Sequence, residues 1–165
     1  MTTFTATVDS PCGPLVLTSD GTALTRLMFD TPPDPTWSTD TDAVLEKTSQ
    51  QLGEYFAGTR TAFDLPLAPS GTPFQVTTWL ALREIPYAET INYGQLALRI
   101  GNPKASRAVG LANGRNPISI IVPCHRVIGA NGSLTGYGGG LDRKRTLLDL
   151  ERQVAGADDR LPWGT

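Results

Sequence analysis

The chain carries a single histidine, His125, and it directly follows one of only two cysteines, Cys124, within NPISIIVPCHRVIG, residues 116–129. A cysteine thiol titrates near ~8.5 and is mostly protonated at neutral pH, so it needs a base or a positive charge beside it to act as a nucleophile. His125 and Arg126 offer both within one turn. Two plainer readings stand against this. A lone cysteine is most often a small buried hydrophobe, and Cys–His pairs that do chemistry are usually distant in sequence. A third chemical group lies further on, where Leu147 and Leu148 fall four and three residues before Glu151. On a helix that spacing puts Glu151 on their inward face, within reach of His125 to fix its tautomer. Spacing alone favours the alternative, an exposed Glu–Arg pair at the helix end.

The elements that must hold these groups follow from the local pattern. ISIIV reads as a short buried strand or extended segment, and Pro123 fixes the backbone just before Cys124. SLTGYGGGLDRKR is a glycine-rich loop able to close over a small flat ligand, and it leads into the helix bearing Glu151. Upstream, PFQVTTWLALREI reads as an amphipathic helix ended by Pro86. GQLALRIG is a short helix stopped by Gly101, and NPKASRAVGLANG begins another with Asn102 as N-cap and Pro103 in the first turn. Two short helices joined by Gly-Asn-Pro form a helix-turn-helix pattern. Ala105, Val109 and Ala112 make the inward stripe of the second. Its outward face shows small residues, Ser106, Ala108 and Gly110, with Arg107 as the single long side chain among them. Such a face permits close backbone approach to a minor groove or simple helix–helix packing; the pattern alone does not choose.

The first thirty residues alternate as a small antiparallel meander, with turns at SPCGP and SDGT. After the acidic, proline-rich DTPPDPTWSTDTD, a helix is expected over 43–57 and Gly58 stops it. LPLAPSGTP, 65–73, reads as a linker, so the domains are placed at 1–70 and 73–155 with a tail at 156–165. Charge changes sign at the same place. Residues 1–72 hold 3 Lys/Arg against 9 Asp/Glu, a net −6, whereas residues 73–165 hold 11 against 7, a net +4. A cationic half suggests a polyanionic partner or a solvated basic face. No apolar run approaches membrane-spanning length, and the start lacks a secretory pattern. Two distant cysteines and one histidine make neither a disulfide framework nor a metal signature, so a reducing cytoplasm and no metal or cofactor are expected.

PCHRV, preceded by AVGLANGRNP and followed by GYGGGLDRK, resembles the O6-alkylguanine-DNA alkyltransferase family, also called methylated-DNA–protein-cysteine methyltransferases, of bacterial type. IPYAETINYGQLA with GNPKASRAVG is similar to that family's winged helix-turn-helix, and the first half to its ribonuclease H-like domain. The resemblance implies an α+β fold and a DNA-repair protein that moves the alkyl group of O6-alkylguanine, and of O4-alkylthymine, from a flipped-out base onto its own cysteine. It implies Cys124 as nucleophile, His125 as base through a water, Glu151 orienting the imidazole, and Asn116 bracing the hinge before the active-site turn. Tyr93 would crowd the 3′ phosphate and donate a proton toward guanine N3. Arg107 would fill the vacated stack, with Ser106, Ala108, Gly110 and Arg115 also at the DNA. Tyr137, Gly138 and the main chain at Cys124 and Val127 would line the base pocket. The expected partner is double-stranded DNA entered through the minor groove, the expected state a monomer, with cooperative loading left open. Ala88 stands where the family often has Gly, and Gly138 where some members carry a hydroxyl. First-domain zinc ligands found in some members are missing. A damage-binding relative without a nucleophile, a cysteine hydrolase and a plain winged-helix regulator each leave part of this pattern unexplained.

Overall fold

A computed structural model describes residues 2–156, and its contacts divide the chain into two compact units, Met1–Ser70 and Gly71–Thr165. Beyond Gly156, the expected tail of residues 156–165 lies outside the described residues.

In the first unit, β1 (Phe4–Val8), β2 (Leu15–Ser19) and β3 (Leu24–Phe29) form an antiparallel sheet in chain order. The registers Val8↔Leu15 and Ser19↔Leu24 mark its two turns. The β2–β3 turn is fixed by chemistry local to Asp20, whose carboxylate accepts the N–H groups of Thr22 at 2.8 Å and Ala23 at 2.9 Å, while Gly21 takes φ +96°. The central strand is buried on both faces, so its threonine side chain at Thr18 pairs with Thr25 at 2.6 Å. Helix α1 (Ala43–Phe56), N-capped by Asp42, adds Leu45, Leu52 and Tyr55 to this core. The start of the expected linker belongs to the sheet: Leu24 exchanges hydrogen bonds with Pro66 and Ala68 at 2.8 and 2.9 Å, so the chain stays ordered past residue 65.

The second unit is mainly helical. α2 (Pro73–Leu82) opens on a reciprocal cap between Thr72 and Gln75 with Pro73 at its first position. Its Trp79 is buried, and the indole N–H donates to Ala112 O at 2.8 Å, which ties α2 to α4. Strand β4 (Ile91–Asn92) leads directly into α3 (Tyr93–Arg99), capped by Asn92 and Gln95. After Gly101 at φ +76° comes α4 (Ser106–Gly114). This helix begins later than the sequence suggests. Asn102 caps a separate turn, accepting the Ala105 N–H at 3.0 Å, and Ala105 precedes the helix with no side-chain cap.

The aliphatic run after α4 is buried but is not a strand. Residues 117–122 form successive tight turns, with Val122 N–H bonded to Ile118 O at 3.0 Å and Ile120 held at φ +73°. A β-branched residue in that region is strained. A 3-10 turn (Cys124–Arg126) follows, then β5 (Val127–Ile128), which runs parallel to β4. Last comes α5 (Leu141–Val154), with Lys144, Leu147, Leu148 and Glu151 buried along one side. Among the described residues, no helix is long and apolar enough to cross a membrane.

Candidate active site

Cys124 opens the 3-10 turn and is 3% exposed. The turns before it are locked by Asn116, whose amide donates to Val122 O at 2.8 Å and accepts the Ile118 N–H at 3.0 Å. From α4, Asn113 donates to Cys124 O at 3.3 Å. Burial pushes the Cys124 thiol above its ordinary value, while hydrogen bonding from Asn116 and Ser119 and the charge of Lys144 act the other way.

His125 is fully buried, and its Nε2 lies 2.7 Å from Glu151 Oε2. Its other nitrogen, Nδ1, is buried with no hydrogen-bond partner among the described residues. Burial holds the imidazole below its ordinary value against the pull of Glu151. With the ring neutral and Nε2–H donating to the carboxylate, the lone pair resides on Nδ1. Glu151 is therefore no surface residue. Burial would raise its carboxyl, but His125 and Arg126 together hold it well below the usual carboxylate range.

Arg126 does not face the sulfur as the sequence alone suggests. Its Nε and Nη2 meet Glu151 Oε1 and Oε2 at 2.8 and 3.1 Å, and Nη1 donates to Ile85 O at 2.8 Å. The cation near Cys124 is Lys144, which the sequence reading missed. Its ammonium donates to Val127 O at 2.6 Å and Thr135 O at 2.7 Å, and burial pushes it down to about 8. The Tyr93 hydroxyl donates to the same Thr135 carbonyl at 3.1 Å. So α3 and α5 meet the glycine-rich loop around one carbonyl, and Lys144 ties β5 to them.

Residues 73–153 match the family described as 6-O-methylguanine DNA methyltransferase, DNA binding domain, and residues 3–69 match its ribonuclease-like domain. This chain belongs to that family. A methylated-DNA–protein-cysteine methyltransferase of Mycobacterium tuberculosis is 55% identical over 156 residues, covering 92% of this chain and 94% of its own. One from Methanosarcina acetivorans is 54% identical over 154 residues, with coverage of 90% and 97%. The crystal structure of M. tuberculosis O6-methylguanine methyltransferase superposes with TM-score 0.85 at 52% identity over 94% of this chain and 96% of that one. The same organism's protein in complex with DNA gives 0.86 at 52% identity, covering 92% and 94%. The α+β architecture, with a ribonuclease-like first domain and a DNA-binding second one, is therefore that of the methyltransferases.

In this methyltransferase the expected DNA face is less uniform than its sequence suggests. Arg107, Ala108 and Arg115 are exposed, but Ser106 and Gly110 are only partly so. Gly110 turns toward α3: a Cβ there would lie 3.6 Å from the Tyr93 ring. Leu111 takes the outward position instead and is 63% exposed, a second long side chain beside Arg107. Of the expected pocket residues, Val127 is buried with its carbonyl on Lys144, and Tyr137 is half-buried. Gly138 is exposed, and a Cβ there would make only ordinary contact, 3.6 Å from Gly114 O. Ala88 adopts φ +63° and keeps the turn that glycine makes easily, with its N–H on Glu151 Oε1 at 3.0 Å.

Proposed function

We propose that Cys124 removes the alkyl group from O6-alkylguanine, and from O4-alkylthymine, in a nucleotide flipped out of duplex DNA, each molecule acting once. The observation that carries this is the imidazole of His125, the residue after Cys124, pinned at Nε2 by Glu151 and with a buried Nδ1 that has no hydrogen-bond partner among the described residues. His125 Nδ1 takes the thiol proton through a water. Sulfur then attacks the saturated carbon in line, the S–C bond forms as the C–O6 bond breaks, and the electron pair leaves on guanine. Tyr93, whose hydroxyl rests on Thr135 O, would turn from that carbonyl to donate a proton toward N3 and stabilise that leaving group. Lys144 adds a positive charge that favours the thiolate.

Flipping costs a few kcal/mol. Arg107, exposed on α4 with Ala108 next to it, suits the minor groove and fills the vacated stack; Ser106, Gly110 and Arg115 flank it. A carbonyl oxygen has two lone pairs, so Val127 O, held by Lys144, retains acceptor capacity for the guanine edge, whereas Cys124 O already takes the Asn113 amide and the Val127 N–H and would exchange one of them for the base. Asn116 braces the hinge, and Tyr137 with Gly138 walls the pocket. The thioether product is stable, and the sequence offers no resolving thiol near Cys124. Two cysteines in no disulfide suit the reducing cytoplasm in which a monomer would act without metal or cofactor.

The test is direct. Folded protein incubated with a duplex carrying O6-methylguanine should gain one methyl on the Cys124 peptide by mass spectrometry, and the Cys124→Ala variant none. Persistent absence of that increment would remove the reading.

A further inference from the structure

The mechanism above uses His125 as a base, yet a carboxylate at 2.7 Å ordinarily pulls a proton onto an imidazole. What prevents this lies on the other side of the carboxylate. Arg126 grips both oxygens of Glu151 side-on, is held by Ile85 O through its remaining nitrogen, and lies over the Tyr87 ring at 5.6 Å. Arg126 and Glu151 are both buried. The cluster of Arg126⁺, Glu151⁻ and neutral His125 has no net charge. Without the guanidinium, Glu151 would lose the buried cation that grips both its oxygens, and protonation of His125 would restore a counter-charge, since a buried ion pair costs far less than a buried charge whose counter-ion is removed.

We propose, resting on the reading of His125 as the base, that Arg126 is a positioning residue that satisfies Glu151, letting the carboxylate orient the imidazole without protonating it. Other groups around His125 fit this assignment. From α5 it faces Glu151 and Lys144, and Lys144, like Arg126, opposes a positive ring. From its own turn it has Cys124 and Arg126. The α2 segment packed on the turn, Pro73–Leu82, contains no titratable side chain, and α4 contributes the neutral amide of Asn113. Among the described residues around the ring, Glu151 is the group that favours an imidazolium, and Arg126 is a cation bonded to both its oxygens.

A single histidine makes the test unambiguous, because the imidazole ring signals in the NMR spectrum need no assignment. Three forms are titrated without any alkyl substrate: the unmodified chain, Arg126→Gln and the double variant Arg126→Gln/Glu151→Gln. Arg126→Gln should raise the ring's titration by about one to three units, and removing the carboxylate as well should bring it back down. The acidic limb of alkyl transfer from free O6-benzylguanine should move up with the ring in Arg126→Gln, and Arg126→Lys should recover most of the rate. If Arg126→Gln does not fold, Arg126→Lys carries the same measurement, with a smaller upward shift because it lacks the two-pronged grip. A folded variant that transfers slowly while its imidazole titrates as in the unmodified chain would overturn the proposal. A shifted ring in a protein that never alkylates Cys124 would overturn the functional reading instead.

Discussion

Ala88 shows how one residue connects a turn to the site. Its φ of +63° lies where a Cβ crowds the following carbonyl, a conformation that costs an L-residue about 1–2 kcal/mol. The position is nonetheless kept, because its N–H meets Glu151 Oε1 at 3.0 Å. Ala88→Gly should therefore stabilise the protein by about 0.5–1 kcal/mol, the strain relieved less the entropy that glycine gains in the unfolded chain. Urea unfolding checks this: the midpoint should rise with no change in slope, and a lower midpoint would mean the strain is absent. At this scale the sequence was most legible where a residue type is rare or periodic. Cys124 and His125 stand out because the chain has one histidine; helical spacing put Glu151 on the face of Leu147 and Leu148 but by itself favoured an exposed Glu–Arg pair, and its burial came from the structure. Arg126 and Lys144 were not legible. Their partners lie 25 and 17 residues away, and nothing local marks a cation that will be buried.

At the scale of elements, α4 holds the side chains proposed to meet DNA, and its two faces differ. Val109, Ala112 and Asn113 pack inward, Gly110 lets the Tyr93 ring approach, and Arg107 and Leu111 project outward one turn apart. If Arg107 acts by filling a gap in the base stack, its loss matters only when a base must be extruded. Arg107→Ala should slow repair of O6-methylguanine in duplex by tenfold or more, since base stacking on such a side chain is worth about 1–3 kcal/mol. Transfer from free O6-benzylguanine should be almost unchanged. Equal slowing in both assays would place Arg107 in the chemistry or in folding. Element identity was legible for the helices, whose caps and stops are written locally, as with Thr72–Gln75 and Gly101. It failed for residues 117–122, because a run of Ile and Val reports burial, not backbone angle. Asn116 bends that run into turns through Val122 O and Ile118 N–H, and Ile120 accepts a left-handed conformation inside the core.

For the molecule as a whole, the two units differ in what acid does to them. The first unit carries the negative excess, and its shifted carboxyls, Asp20 and Asp34, are surface groups held below their usual value by hydrogen bonds from Thr22 and Thr36. The second unit contains His125 and Glu151, both buried and both depressed. For each, the unfolded chain binds a proton at a pH where the folded chain does not, so stability must fall as pH falls. The loss begins below about 6.5, where an unfolded histidine charges, and grows below about 4.5, where an unfolded glutamate is neutralised. Hydrogen exchange, corrected for the intrinsic dependence of exchange on pH, should then show α5 and the 124–128 segment losing protection between about pH 7 and 4 before the amides of β1–β3 do. In Glu151→Gln the lower part of this decline should flatten, since the group that titrates there is gone. The upper part should remain, since His125 is still buried and neutral. Loss of protection that starts in the sheet, or that is uniform across both units, would mean that the buried triad does not govern acid stability.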